Sequence, residues 1–217
     1  MTLLLLIRHG LTDAVQRGVL AGWTPGVHLS DDGREQVERL AERTAKLPIG
    51  AVYSSPLERC RETAAPIAAA RGMRVSVRRE LGEVHYGEWT GRRLSQLSRT
   101  KLWREVQRTP SRARFPGGET LLETQDRAVG EVDRILAAHR KTAVAVVSHA
   151  DVIRLLLAHF AGVHVDLFQR LVVEPASVSA VVAGDSSIAI LKMNETGDLD
   201  GLVPRRPARA KTRKMRG

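Results

Sequence analysis

The sequence predicts an α/β protein built as a three-layer sandwich, with a mostly parallel central sheet flanked by helices. Three observations carry that prediction. Short apolar runs alternate with longer segments of helical periodicity along the chain. The two most apolar runs, residues 3–7 and 143–147, are continuous rather than alternating, as strands covered on both faces are. Each of these runs stops at a polar cluster that holds a histidine, Arg8-His9-Gly10 or Ser148-His149, and ligands in open α/β sheets bind at the carboxyl ends of strands.

Taken in order, the strand candidates are residues 3–7, 51–54, 74–77, 143–148, 177–183 and 187–192. Ser30 or Asp31 can cap a helix that runs to about Lys46, with Val37, Leu40, Ala41 and Thr44 on one face. Residues 57–70 read as a helix in which Pro66 predicts a kink or break. Residues 119–139 read as a long amphipathic helix burying Leu122, Val129, Val132, Ile135 and Leu136. A further helix follows His149, from 151 to 160. Gly184-Asp185-Ser186 between the last two runs is a hairpin signal and places an antiparallel element at one edge of the sheet. The stretch 87–118 is polar, basic and weakly patterned, and is read as an insertion above the sheet where a substrate lid would sit.

A chain of 217 residues with 43% hydrophobic and 27% charged residues is an ordinary globular composition. No apolar stretch approaches a membrane span, and the N-terminus lacks the features of a secretory leader. The lone Cys60 excludes an intramolecular disulfide and fits a reducing cytoplasm. The formal charge of +10 is concentrated at one end: residues 205–217 carry seven basic residues and no acidic one, which leaves +3 for residues 1–204. We read 1–204 as one domain and 205–217 as a disordered, solubilising tail. Its rival reading, an electrostatic grip on RNA, DNA or anionic lipid, ranks lower because the tail has no aromatic residue on which a base could stack.

Arg8, His9, His149 and the Ser54-Ser55-Pro56 segment, with Arg59 and Arg61 just beyond it, all fall at strand ends. Arginine's planar, permanently charged fork matches an anion with several oxygens, such as phosphate. Alternative phosphate and metal chemistries lack their signatures. There is no His-Glu-x-x-His, no cysteine cluster and no Gly-x-x-x-x-Gly-Lys-Ser/Thr. The position six residues after Cys60, where a cysteine phosphatase needs an arginine, is Pro66.

Four motifs in one collinear order carry a resemblance: Arg8-His9-Gly10, the run Ser-Ser-Pro-Leu-Glu-Arg-Cys-Arg-Glu-Thr-Ala at 54–64, the run from Glu83 to Gly91 (Glu-Val-His-Tyr-Gly-Glu-Trp-Thr-Gly), and Ser148-His149. Over about residues 3 to 193 the chain resembles the histidine phosphatase superfamily, in the branch of cofactor-dependent phosphoglycerate mutases and related phosphatases. The resemblance implies a phosphoglycerate mutase-like fold and a phosphomonoester hydrolase acting on a small phosphorylated metabolite. It implies His9 as the nucleophile that forms a phosphohistidine, and Glu83 as the acid and then the base. Arg8, Arg59 and His149 would bind the non-bridging oxygens. Thr12 would add a hydroxyl to the phosphate pocket and Gly10 a close backbone turn, with Gly22 and the Ala150 amide completing the substrate-binding set. Neither a metal nor an organic cofactor is implied.

The chain departs from the family pattern at several places. Leu11 stands where a glutamate is common, Val15 where an asparagine aligns, and Ala150-Asp151 where Gly-Gly or Gly-Asn follows the second histidine. Mutases carry an arginine directly after the catalytic glutamate; here it is Val84. That favours hydrolase over mutase. A phosphate-binding module without turnover is disfavoured by the intact set of five catalytic positions. His85, His139, His159 and His164 are read as structural or surface residues, Cys60 as packed on a buried helix face, and Trp23, Trp89 and Trp103 as core or pocket wall, most of them core.

Overall fold

The computed structural model describes residues 1–184 and 187–202. The chain runs β1 (Thr2–Arg8), α1 (Asp13–Gln16), α2 (Asp31–Thr44), β2 (Ile49–Ser54), α3 (Glu58–Ala69), β3 (Val75–Val77), α4 (Leu94–Leu97), α5 (Lys101–Arg108), α6 (Leu121–Ala138), β4 (Ala143–Ser148), α7 (Ala150–Ala161), β5 (Val178–Ala183) and β6 (Ile188–Glu195). The six strands form one sheet in the order β3-β2-β4-β1-β5-β6. The β3-β2-β4-β1 portion is parallel, while β5 and β6 add antiparallel strands at one edge.

The continuous apolar runs are explained by burial on both faces. Leu5 and Ile7 of β1 pack with Leu40 of α2 and with Cys60 and Ile67 of α3. Their neighbours Leu4 and Leu6 face the other way, into a cluster with Val132 and Ile135 of α6 and Ile153 and Leu156 of α7. A strand side chain alternates faces with period two, so a strand sandwiched between two helical layers has to be apolar at every position. Each fully buried Leu or Ile contributes roughly 1.5–3 kcal/mol, which fixes these runs in the middle of the sheet.

Strand register positions the polar residues that follow. β1 and β4 pair in parallel from Leu3↔Ala143 to Arg8↔Ser148, and the His9 amide donates to the Ser148 carbonyl (3.0 Å). Residues 140 positions apart in sequence therefore leave the sheet side by side. Beyond β1 the chain passes over the N-terminus of α2, where Ser30 caps the helix by accepting from the Gly33 amide (3.2 Å). Two glycines permit that approach. A Cβ on Gly33 would lie 2.0 Å from the Leu11 carbonyl oxygen, and one on Gly10 would lie 2.8 Å from the Gly33 carbonyl and 2.9 Å from Val37 Cγ2. Gly10 is thus required by packing against α2.

Four expectations need correction or restriction. α3 runs through Pro66 unbroken. The proline removes one N–H on a partly exposed flank, while Cys60, Ala64, Ile67 and Ala68 hold the helix against the sheet from the buried side. In α6 it is Leu121 that is buried and Leu122 that is exposed. Thr120 caps this helix in a reciprocal capping box with Glu123, which starts it two residues later than expected and sets the inward stripe at Leu121, Thr124, Ala128, Val132 and Ile135. The insertion at 87–118 contains two helices, α4 and α5, the second capped by the Thr100 side chain accepting from the Trp103 amide (3.1 Å). The β5–β6 hairpin is antiparallel as expected, but Asp185 and Ser186 of its turn and the basic tail at 205–217 lie outside the described residues. Among the described residues no helix is long and apolar enough to cross a membrane.

Candidate active site

At the carboxyl ends of β1 and β4 the structure opens a cavity of about 420 Å³. Arg8, His9, Thr12, Gly22, Arg59, Glu83 and Ala150 line it. Of the nine site residues expected from the sequence, Gly10 and His149 do not reach the wall. Gly10 serves the close backbone approach to α2. His149 is fully buried just behind the wall, with its ring centroid 5.3 Å from that of His9 in an edge-on arrangement.

Hydrogen bonding fixes the state of His9. Its Nδ1 lies 2.7 Å from the Gly10 carbonyl oxygen. A carbonyl only accepts, so Nδ1 carries the proton and Nε2 keeps its lone pair. Burial holds the His9 pKa well below the usual 6.5, and the charges of Arg59 and Arg8 push in the same direction. His9 is therefore a neutral imidazole with a free electron pair.

Arg59 comes from the first turn of α3 and is among the largest fully buried side chains in the protein. Its Nη2 donates to the Gly22 carbonyl (2.9 Å) and to His149 Nδ1 (3.2 Å). His149 Nε2 lies 2.8 Å from the Ser55 hydroxyl and 3.4 Å from Cys60 Sγ. Arg8 donates through Nη1 to the Val173 carbonyl (2.7 Å). Among the described residues, the buried side-chain nitrogen and oxygen atoms left without a partner are Arg8 Nε, Arg59 Nη1 and Ser177 Oγ. Two of the three belong to the guanidinium groups of this cavity. Leaving a buried donor unpaired costs about 1–3 kcal/mol, and an anion in the cavity would remove that cost.

Glu83 closes the other side. Its Oε2 is 3.7 Å from His149 Nδ1. Burial, reinforced by the charge of Asp151, raises its pKa from the usual 4.5 to about 7, against the opposing pull of Arg59. Asp151, at the first turn of α7, does not cap that helix. It accepts from the Tyr86 hydroxyl (2.7 Å) and pairs with Arg154 (2.9 Å). Val84 is fully buried in the apolar cluster beneath the insertion, so no cation follows the glutamate. Thr12 accepts from the Val15 amide through its Oγ1 (3.3 Å), capping α1, which leaves its hydroxyl proton free to donate.

What holds Glu83 in place is not foreseeable from the chain. Arg127 of α6 uses all its donors at once: to the carbonyls of Glu80 (2.7 Å), Gly82 (2.9 Å) and Glu83 (2.9 Å), and to both carboxylate oxygens of Glu119 (3.0 and 2.6 Å). Trp23 Nε1 also donates to the Glu83 carbonyl (2.6 Å). The one signal is a basic residue next to the buried Ala128 on a helix otherwise charged on its outer face. Arg127→Lys should keep the charge but lose the fork. We expect kcat to fall about tenfold or more with little change in KM. An unchanged kcat would remove Arg127 from this role. Of the tryptophans, Trp89 is buried and Trp103 half-buried, both on the cavity wall, while Trp23 is half-buried and stacked on His85 at 4.3 Å between ring centroids. Among the described residues, no group of three or more His, Cys, Asp or Glu side chains is placed to hold a metal ion.

A three-layer α/β sandwich with one histidine and two arginines on one cavity wall, and a second histidine just behind it, has the makings of a phosphate-handling site. Residues 4–196 match the model of the histidine phosphatase superfamily, branch 1, and the chain belongs to that family. It is 28% identical over 198 residues to phosphoserine phosphatase 1 of Hydrogenobacter thermophilus, covering 90% of this chain and 93% of that protein. It is 32% identical over 207 residues to a bifunctional protein of Mycobacterium tuberculosis, of which the match spans only 55%. The crystal structure of the α-ribazole phosphatase of Shigella flexneri superposes with a TM-score of 0.81 at 25% identity, covering 90% of this chain and 98% of that one.

Proposed function

We propose that the protein hydrolyses small phosphomonoesters through a phosphohistidine on His9. The observation that carries this reading is the tautomer of His9: a neutral ring whose Nδ1 is committed to a carbonyl and whose Nε2 is free, beside two guanidinium nitrogens that lack partners. In the first half-reaction His9 Nε2 attacks phosphorus while Arg8 and Arg59 take up the charge on the non-bridging oxygens. Glu83, whose pKa is raised to about 7, keeps its proton in a large fraction of the molecules near neutrality and gives it to the leaving alkoxide. His149, held behind the wall, orients the Arg59 guanidinium by accepting from its Nη2 at Nδ1 (3.2 Å). In the second half-reaction the Glu83 carboxylate takes a proton from water, which attacks phosphorus and frees His9. Thr12 and the Ala150 amide supply further donors, and Gly22 holds Arg59 through its carbonyl. The names of the relatives support a small phosphorylated metabolite as substrate. The buried Val84 disfavours a mutase, since no cation stands next to Glu83 to grip a substrate carboxylate.

Phosphate release from a panel of phosphometabolites, with chelator present, tests this reading. Turnover that needs added metal, or robust bisphosphoglycerate-dependent interconversion of phosphoglycerates, would overturn it. The pH dependence carries its own test. With the Glu83 pKa at about 7, kcat/KM should fall as pH rises above neutrality, and Glu83→Gln should lose roughly 10²–10⁴-fold in rate together with that limb of the profile. Stability moves with the same group. Between about pH 4.5 and 7 the folded protein holds a proton that the unfolded chain releases, so the stability that Glu83 contributes in acid is lost as pH rises through 7. Raising the pH from 5 to 8 should therefore lower the Tm of the native protein more than that of Glu83→Gln.

A further inference from the structure

The chain is poor in aromatics, yet four of its eight Phe, Tyr and Trp residues meet at one place. Tyr86 and Phe115 pack edge to face at 5.0 Å, Trp89 and Phe115 at 5.3 Å, and Trp89 and Trp103 lie nearly parallel at 6.1 Å. All four line the cavity, together with apolar side chains that include Leu20 and Val106. Asp151 and Arg154 stand on the same wall as an ion pair. Arg154 donates to Asp151 (2.9 Å) and to the Leu171 carbonyl (2.9 Å), and Asp151 also takes the Tyr86 hydroxyl. Gln107 and Gln169 are the remaining uncharged polar side chains on the wall outside the histidine–arginine end. The volume of about 420 Å³ falls in the range of small-molecule sites, about 300–1,000 Å³, and extends well past a single phosphoryl group.

From this we infer the substrate class: a phosphate monoester whose leaving group carries a flat apolar or aromatic portion. The inference rests on the phosphatase reading and deepens it. The aromatic wall takes up a ring through burial and edge or face contacts, which small polyols do not satisfy.

Three alkyl phosphates of similar leaving-group basicity test the inference: 2-phenylethyl phosphate, glycerol 3-phosphate and 3-phosphoglycerate. We expect kcat/KM for the phenylethyl ester to exceed that for either polar ester by about tenfold. Trp103→Ala should remove most of that preference. A native preference for either polar ester, or ratios unmoved by Trp103→Ala, would overturn the inference while leaving the phosphatase reading intact. No turnover of any of the three esters, with no phosphate trapped on His9, would overturn the hydrolase reading and this inference with it.

Discussion

Replacing His9 by alanine should abolish turnover, lowering kcat by about four orders of magnitude or more. The basis is that no other group can take its place. His149 has its ring committed to Arg59 and Ser55, Cys60 is buried with its thiol pushed up to about 12, and Glu83 is needed as the acid. Residues that act as one unit lose nearly all their benefit when the nucleophile is removed. The measurement is phosphate release in the steady state, paired with an alkaline quench of native enzyme mixed with ³²P-labelled substrate. Label should stay on the native protein and be absent from His9→Ala. Alanine also leaves the buried Gly10 carbonyl without its donor, at a cost of about 1–3 kcal/mol, so thermal unfolding belongs beside the assay. A folded His9→Ala enzyme that keeps even one-hundredth of native activity would refute a covalent intermediate on this ring.

Arg59→Met should cost about a thousandfold in kcat/KM without a matching loss of stability. The guanidinium supplies a donor with no partner of its own, Nη1, and orients both the Gly22 backbone and His149. Losing one donor aimed at developing charge costs about 10²–10³-fold by itself, and here the second histidine loses its anchor as well. Methionine fills much of the same volume without a buried charge, and replacing a buried ion by a well-packed apolar side chain is often neutral or stabilising. The Gly22 carbonyl and His149 Nδ1 lose their donor, at about 1–3 kcal/mol each, which offsets the relief of removing a buried charge, so the Tm should move only modestly while activity collapses. There is a second readout. The Arg59 charge is the largest influence after burial holding down the pKa values of His9 and His149, so its removal should move the acid limb of the activity profile to higher pH. Activity within tenfold of native would exclude Arg59 from the phosphate site.

Much of this architecture is legible in the chain itself. Strands buried on both faces must be apolar at every position, so residues 3–7 and 143–148 stand out, and Arg8-His9 and Ser148-His149 at their ends mark where a ligand would sit. Boundaries are less legible where a side-chain hydrogen bond sets them. Leu121 and Leu122 are equally apolar, and only the capping box at Thr120 determines which of the two turns inward. Pro66 is a helix breaker by local rules, but the cost of one missing hydrogen bond is small beside the burial of Cys60, Ala64, Ile67 and Ala68. The insertion conceals its role for a related reason. Its aromatics follow no period because they face a cavity rather than a flat layer.

The amino-acid sequence alone determined the layers, the alternation of the main strands and helices, and the strand-end candidates Arg8, His9, Arg59 and His149, because these follow from local periodicity and residue chemistry; Glu83 stood out only through the family resemblance. The tertiary structure alone decided the pairing of β1 with β4 that sets the two histidines side by side, the tautomer of His9, the raised pKa of Glu83 and the aromatic lining of the cavity. Each of those depends on distances between groups far apart in the chain and on how much water their packing excludes, and neither quantity is encoded at any single position.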